Sequence, residues 1–167
     1  MIRFPAIVPG VSRFLETLPY DPSACLIDEV VELDAGAKRV RARLDTAKPL
    51  PFSTAQRGDP AVHPRHVNGA VMIHLTGVLG LVHAYFLNGL RWDEGWIGFG
   101  SRIHRGDFKR LARLGPPLEL TSVETQIRKG PKRHVARYEF RFEQEGGLCY
   151  LGDQTAIWVH GHDLGEE

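Results

Sequence analysis

The segment from Val67 to Leu90 contains no Asp, Glu, Lys or Arg, although charged residues make up 25% of the whole chain. As a helix it would be long enough to cross a bilayer core of about 30 Å. Gly69, Gly77 and Gly80 lower the hydrophobicity of the segment, however, and the chain on both sides alternates between apolar and polar residues. A helix that is apolar on most faces then belongs at the centre of its own domain. We therefore predict one long buried helix and no membrane span.

Strand-like segments lie on both sides of this predicted helix. The clearest is Tyr138 to Glu143, where aromatic and charged residues alternate with period two, as in a sheet with one buried face. Turn-like residues at 34–37, 129–132 and 144–147 predict a hairpin before the helix and an antiparallel meander after it. The candidate strands span about Cys25 to Leu33, Lys38 to Leu44, Trp96 to Arg102, Pro117 to Arg128, His134 to Glu143 and Leu148 to His160.

These elements predict a single α+β domain. One curved antiparallel β-sheet wrapped around one long central helix buries the apolar face of each strand together with the helix. We assign residues 1–167 to this domain, with a core from about 18 to 160, a short N-terminal helix at about Ser12 to Leu18 and a C-terminal tail. A chain of 167 residues with 43% hydrophobic content is long enough for one core and short for two.

The charge balance and the cysteine content restrict the partners and the compartment. With 21 basic and 20 acidic residues the net charge is +1, so no overall basic character points to nucleic acid or to an anionic membrane. Cys25 and Cys149 are too few for a disulfide framework, and the first residues lack the apolar core of a signal peptide. We therefore expect a cytoplasmic protein with two buried thiols and no nucleic-acid or membrane partner.

A loop rich in histidine and proline runs from Asp59 to the start of the apolar segment and contains His63 and His66. It ends in Asn68, a favoured N-cap residue, and Gly69, which leaves room for another group beside the helix. A helix N-terminus carries partial positive charge and free N–H groups, which attract carbonyl or phosphate oxygens. The loop therefore predicts a polar site at the mouth of the helix. The two histidines lack further ligands at suitable spacing, so we predict no metal.

The sequence His66-Val67-Asn68-Gly69-Ala70-Val71 resembles the His-Val-Asn-Asn signature that opens the central helix of hot-dog acyl-CoA and acyl-carrier-protein thioesterases. It is also similar to the His-Phe-Asn-Ala of FcoT-like long-chain fatty-acyl-CoA thioesterases. Leu18-Pro19-Tyr20 and Leu26-Ile27-Asp28 resemble N-terminal elements of that family. The resemblance implies a hot-dog fold, a homodimer, thioester hydrolysis without a cofactor, and active-site roles for Tyr20 and Asn68.

Thioester hydrolysis requires a polarised carbonyl, a positioned water and a base that removes its proton. We assign the carbonyl oxygen to the Gly69 N–H and the orientation of water or carbonyl to Asn68. His66 or His63 is the expected base, with Asp59 as the candidate orienting carboxylate. The plainer alternatives are a helix cap alone for Asn68 and exposed loop positions for the two histidines.

Candidate substrate-binding residues lie further along the chain. His74 follows His66 by about two helical turns and is either a satisfied core histidine or a pocket residue. A basic stretch after the next strand either holds the phosphates of coenzyme A or phosphopantetheine, or forms a solvated charged loop. Its candidate residues are Arg102, Arg105, Lys109, Arg110 and Arg113.

Two further functions remain open on the sequence. Hot-dog 3-hydroxyacyl-carrier-protein dehydratases resemble the chain in their Pro-rich loop, Gly and long apolar helix, and they pair a loop histidine with a helix carboxylate. Matching Gly69 to their helix-opening glycine puts His74 at the carboxylate position, and the segment holds no acidic residue. The other alternative is an acyl-CoA binding module without turnover. We therefore expect an acyl-CoA or acyl-carrier-protein thioesterase first, a dehydratase second and a binding module third.

Overall fold

The computed structural model describes residues 2–5 and 8–161. Two short helices precede the first hairpin, a long helix follows it, and four long strands complete the chain. The elements are α1 (Val11–Thr17), α2 (Pro22–Cys25), β1 (Glu29–Asp34), β2 (Arg39–Leu44), α3 (Gly69–Val82), β3 (Trp96–Phe108), β4 (Leu118–Lys129), β5 (Arg133–Gln144) and β6 (Gly147–His160). A π-helical turn, His83–Leu87, extends α3, and a 3-10 turn, Trp92–Glu94, leads into β3.

The six strands form one antiparallel sheet in the order β1-β2-β4-β5-β6-β3. The predicted hairpin and the predicted meander are both present, as β1–β2 and β4–β5–β6. After α3 the chain returns to the far edge, where β3 pairs with β6 from Trp96↔His160 to Phe108↔Tyr150. The predicted sheet around a central helix is therefore confirmed, with β1 and β3 as its edges.

The core lies between α3 and the inner face of the sheet. Val71, Leu75, Leu79 and Val82 of α3 are almost fully buried in it. Their spacing of three and four residues places them on one side of the helix. By length and composition the segment Gly69–Leu87 is apolar enough to span a membrane, yet 67% of its most apolar window is buried inside the protein. In this protein the apolar segment is covered by the inner face of the sheet.

One face of α3 differs from the sequence prediction, which had the helix covered on all sides. Ala70, Ile73, His74 and Gly77 are exposed, and their spacing makes them one continuous stripe. Ile73 keeps 40% of its surface accessible although it is fully apolar. A single sheet curves around only part of a helix, and this stripe lies on the part that the sheet does not cover.

Two predicted boundaries were wrong for identifiable reasons. The first strand begins at Glu29 rather than Cys25, because Cys25 belongs to the short helix α2. The Asp21 side chain accepts the Ser23 N–H and caps this helix, and Leu26, with φ of 60°, follows its end. The third strand continues past Arg102 to Phe108, through residues predicted to form a basic loop. It pairs with β6 along its length, interrupted by two bulges. Its mostly exposed side chains show no alternation that sequence reasoning can detect.

Candidate active site

The start of α3 is organised as the sequence predicts. Asn68 has extended backbone dihedrals, and its Oδ1 accepts the Ala70 N–H at 2.9 Å, which is the N-cap interaction. Gly69 follows as the first helical residue. A Cβ at Gly69 would lie 3.0 Å from the Phe108 ring, so glycine here permits β3 to approach the helix start closely. The space that the sequence assigned to an approaching ligand is thus shared with Phe108.

His66 is held by its neighbours in the loop. Its backbone N–H donates to Gln56 Oε1 at 2.9 Å, and its carbonyl accepts from Ser53 Oγ and Gln56 Nε2. The ring Nδ1 lies 3.0 Å from the Pro64 carbonyl oxygen. A carbonyl oxygen only accepts, so Nδ1 carries the proton in the neutral ring and Nε2 keeps its lone pair. His66 therefore has the tautomer that a general base at Nε2 requires.

His63 lies beside His66, and Asp59 is bonded to the backbone of His63. The His63 side chain is exposed, with its ring centroid 5.2 Å from that of His66. Asp59 Oδ1 accepts the backbone N–H groups of Ala61 and Val62, and the Asp59 N–H donates to the His63 carbonyl. The Asp59 carboxylate thus closes its own turn instead of orienting an imidazole.

A groove of about 380 Å³ opens beside the start of α3, and we call it the helix-start groove. It brings the predicted residues His66 and Gly69 together with Lys109 and Arg110 from the segment after β3. Residues 66 to 72 and residues 108 to 112 form its two walls, held together by the Val67 N–H, which donates to the Ala112 carbonyl at 2.8 Å. Its lining is His66, Val67, Gly69, Met72, Phe108, Lys109, Arg110, Leu111 and Ala112.

The predicted basic residues do not act as one cluster. Arg105 donates to the Asp107 carboxylate at 2.6 Å and Lys109 lies 2.9 Å from it, which lowers the pKa of Asp107. Arg113 pairs with Glu145, and Arg110 donates to the carbonyl oxygen of Gln144, the last residue of β5. Arg102 is exposed within β3. Only Lys109 and Arg110 of the five line the helix-start groove.

A second opening, which we call the helix–sheet cleft, lies between α3 and the strands β3 and β6. It has a volume of about 120 Å³ and contains two more predicted residues, Tyr20 and His74. His74 is exposed, and its Nε2 lies 2.5 Å from the Ala24 carbonyl oxygen. Of the two alternatives for this residue, the structure therefore excludes the buried core histidine. The cleft is lined by Tyr20, His74, Thr76, Gly77, Val78, Gly80, Leu81, Gly98, Phe99, Gly100, Tyr138, Gln154, Thr155, Ala156 and Trp158.

Polar residues that sequence reasoning missed connect the two openings. The buried Thr76 hydroxyl lies 2.9 Å from Gln154 Oε1, and Gln154 Nε2 lies 3.5 Å from the Tyr150 hydroxyl. The Tyr150 ring in turn packs against Phe108 with centroids 5.2 Å apart. A sequence signal existed for one of them, since Gln154 has the same parity as the buried residues Tyr150 and Trp158 of β6. A polar residue at an inward position of a strand indicates a hydrogen-bond partner inside the fold, because buried polar groups are normally paired.

No metal centre accompanies these residues. Within residues 2–5 and 8–161, no group of three or more His, Cys, Asp or Glu side chains is arranged to hold a metal ion. Cys25 and Cys149 are both buried free thiols, as expected from the sequence, and burial raises the pKa of Cys25.

No protein-family model matches this chain, and no curated protein matches it significantly by sequence. Solved structures do match, over nearly the whole length. Thioesterase PA1618 from Pseudomonas aeruginosa, in a mutant form, has a TM-score of 0.61 at 14% identity, covering 93% of this chain and 97% of its own. Thioesterase HI1161 from Haemophilus influenzae has a TM-score of 0.60 at 16% identity, covering 96% and 97%.

A dehydratase is equally similar. The dehydratase heterocomplex ApeI:P from Xenorhabdus doucetiae has a TM-score of 0.63 at 15% identity, covering 95% of both chains. Identities this low establish the architecture and leave the reaction open. The chain therefore has the hot-dog fold, which it shares with these two thioesterases and this dehydratase complex.

Proposed function

We propose that this protein hydrolyses acyl thioesters of coenzyme A or of an acyl carrier protein, in the cytoplasm and as a homodimer. One observation carries the proposal: His66, in the tautomer of a general base, shares a groove with the capped N-terminus of α3 and with two cationic side chains. The groups that we propose as base, oxyanion donor and phosphate ligands are thus adjacent.

In the proposed reaction His66 Nε2 removes a proton from water, and the resulting hydroxide oxygen adds to the thioester carbonyl carbon. The Gly69 N–H and the positive end of the helix stabilise the oxyanion that forms. The tetrahedral intermediate then collapses with cleavage of the carbon–sulfur bond. The departing thiolate takes the proton from the His66 imidazolium, which leaves a carboxylic acid, a free thiol and neutral His66.

Lys109 and Arg110 are the residues that we propose to contact the carrier. Both lie at the same groove as His66, and cationic side chains bind phosphate oxygens through charge-assisted hydrogen bonds. Their position at the groove is what distinguishes them from Arg105 and Arg113. Lys109 is itself ion-paired with Asp107 and Arg110 donates to a backbone carbonyl, so each would exchange its present partner for a phosphate oxygen. Tyr20 and His74, in the helix–sheet cleft, are proposed to contact the acyl group instead.

The dimer is proposed to form along the free edge of β3. Ile97, Phe99, Ile103 and Phe108 of this strand are between 43% and 52% exposed, which is unfavourable for an unpaired edge. Two β3 strands related by a twofold axis would pair antiparallel, so the Phe108 end of one lies beside the 96–100 end of the other. The first end lines the helix-start groove and the second lines the helix–sheet cleft. Each active site would therefore combine the groove of one protomer with the cleft of its partner.

The test is release of free thiol from a panel of acyl-CoAs that runs from short to long chains. We expect turnover in the wild type, its loss in His66→Ala, and its retention in His63→Ala, because only His66 lines the groove. Equal activity of wild type and His66→Ala would refute the assigned base. Turnover lost in His63→Ala and kept in His66→Ala would transfer the role to the exposed histidine.

The carrier site has a separate test. Lys109→Ala and Arg110→Ala should raise KM for an acyl-CoA and leave KM for the matching acyl-pantetheine, which lacks the phosphates, unchanged. Arg128→Ala, an exposed cation on β4, is the matched control. A rise in KM for both substrates would point to a distorted groove rather than to lost phosphate contacts.

A dehydratase is the second candidate, because solved structures of similar fold include one. His74, at the helix position expected for the dehydratase carboxylate, lies in the helix–sheet cleft, and α3 holds no acidic residue, so His74 would have to replace it. Its signature would be loss of water from a 3-hydroxyacyl thioester without free thiol, abolished in His74→Ala. Binding of acyl-CoA without either reaction would favour the binding module.

A further inference from the structure

Two buried polar groups line the helix–sheet cleft without a use in the proposed hydrolysis. Tyr138 on β5 is 1% exposed and Trp158 on β6 is 2% exposed, and both side chains line the cleft. The Trp158 side chain lies close enough to the Tyr138 hydroxyl to lower its pKa slightly, against the larger effect of burial. The two groups do not reach hydrogen-bond geometry, however, and neither has another hydrogen-bond partner among the described residues. Buried polar groups are normally paired, because an unpaired one loses its hydrogen bonds to water without compensation. Two such groups in one cleft point to a ligand.

The chemistry of the two groups defines what they would bind. An indole N–H only donates, and the Tyr138 hydroxyl stays protonated because burial, together with the charge of Glu124, raises its pKa. Both are therefore available as donors. Their common complement is an uncharged oxygen that accepts hydrogen bonds.

The rest of the cleft is apolar and narrow. A Cβ placed on Gly77, Gly80 or Gly100 would meet no atom within 4 Å, so these glycines create its open space. Val78 and Leu81 contribute apolar walls. Its volume of about 120 Å³ lies below the roughly 300–1,000 Å³ of drug-sized ligand pockets, which restricts it to a short segment of substrate.

We propose that the helix–sheet cleft selects an acyl group with an oxygen acceptor near its far end, an oxo or hydroxyl group, over a plain hydrocarbon chain of equal length. Tyr138 and Trp158 donate to that oxygen, while the glycine-lined walls contact the preceding methylenes. This inference rests on the proposed thioester hydrolysis and specifies its substrate class.

The experiment compares matched pairs of substrates. Butanoyl-, hexanoyl- and octanoyl-CoA are each paired with the analogue that carries an oxo group on the penultimate carbon, and kcat/KM for thiol release is measured. At one chain length we expect the oxo substrate to be preferred by roughly three- to tenfold, the contribution of a hydrogen bond to a neutral buried donor. In Tyr138→Phe this ratio should fall to about one.

The matched control is Tyr85→Phe. Tyr85 is also buried, and its hydroxyl also lacks a hydrogen-bond partner among the described residues, but it packs against Phe14 and Trp92 away from the cleft. Its variant should keep the wild-type ratio at every chain length. An unchanged ratio in Tyr138→Phe, or a wild type without preference in any pair, would overturn the inference.

Thermal unfolding of the ligand-free protein gives an independent result. Tyr138→Phe should unfold at the wild-type temperature or above it, because the lost hydroxyl has no partner in the free protein. A Tm several degrees lower would mean that the hydroxyl is bonded within the fold, and the inference would fail.

Failure of the hydrolysis proposal can be recognised separately. If the wild type releases no thiol from either member of any pair, hydrolysis is refuted, and calorimetric binding of the same pairs decides the inference. Tighter binding of the oxo analogue to wild type than to Tyr138→Phe would support it. Equal binding of both analogues would refute it.

Discussion

Acidification is expected to destabilise this protein through one buried side chain, His83. It lies in the π-helical turn that extends α3, and it is inaccessible to solvent. Its Nε2 lies 2.8 Å from the Ser122 hydroxyl oxygen, and its ring packs 5.1 Å from that of Tyr138. Burial disfavours the imidazolium and lowers the pKa of His83 to about 4, although the hydrogen bond to Ser122 opposes the shift.

The direction and the size of this pH effect on the free energy of unfolding come from the difference in the pKa of His83 between the folded and unfolded chains. In the unfolded chain His83 titrates near 6.5, so between about pH 6.5 and pH 4 the unfolded state binds a proton that the folded state does not. The free energy of unfolding therefore falls as pH decreases through this window and is constant, for this group, above and below it. A pKa difference of about 2.5 corresponds to about 3 kcal/mol, of which about 2 kcal/mol is lost between pH 7 and pH 4.5.

Urea unfolding of wild type and His83→Gln at these two pH values measures the effect. Glutamine can still bond to Ser122 but does not titrate, so the variant should lose about 2 kcal/mol less than the wild type. His63→Gln, the same substitution at an exposed loop position, should behave as the wild type. Equal losses in wild type and His83→Gln would refute the reasoning, because carboxylates elsewhere would then account for the whole pH dependence.

Three other perturbations have defined outcomes. Asn68→Ala should lower the free energy of unfolding in urea by about 1 kcal/mol, and Asn68→Ser should lower it much less, because serine also caps a helix. Equal losses in the two variants would show that the cap does not stabilise the protein. Gly80→Leu should reduce kcat/KM most for the longest acyl group at unchanged Tm, since its side chain would enter the open cleft; a uniform reduction would exclude acyl contact there. Ile103→Lys on the exposed edge should convert a dimer to a monomer in light scattering, and a persistent dimer would place the interface elsewhere.

The fold was largely predictable because its signals are local and periodic. The charge-free run from Val67 to Leu90 indicates a buried helix, and the alternation around Tyr138 to Glu143 indicates a strand with one wet face. Each pattern arises because residues that face the same side of an element share an environment. Edge strand β3 was predicted too short for the same reason, since most of its side chains face solvent on both sides and share no such pattern.

The candidate site was likewise predictable only where its features depend on neighbouring residues. The cap at Asn68 and its closeness to His66 were predictable because these residues are neighbours in the chain. The tautomer of His66 was not, since it depends on where the Pro64 carbonyl points. The contacts of Thr76 with Gln154 join residues 78 positions apart, and no periodicity within either element indicates that they meet.

The amino-acid sequence alone is enough to predict the long helix, the hairpin, the meander and the polar residues at the start of the helix, because these follow from neighbouring residues. It does not predict the short helix α2 or the second half of β3. The three-dimensional structure was needed to learn that β3 lies beside β6 rather than beside β2, and that Tyr138 and Trp158 line one cleft. Pairing of distant strands is chosen by the packing of the whole core, so it leaves no signal in any single segment. The two openings exist because β3 passes both ends of α3 and contributes one wall to each.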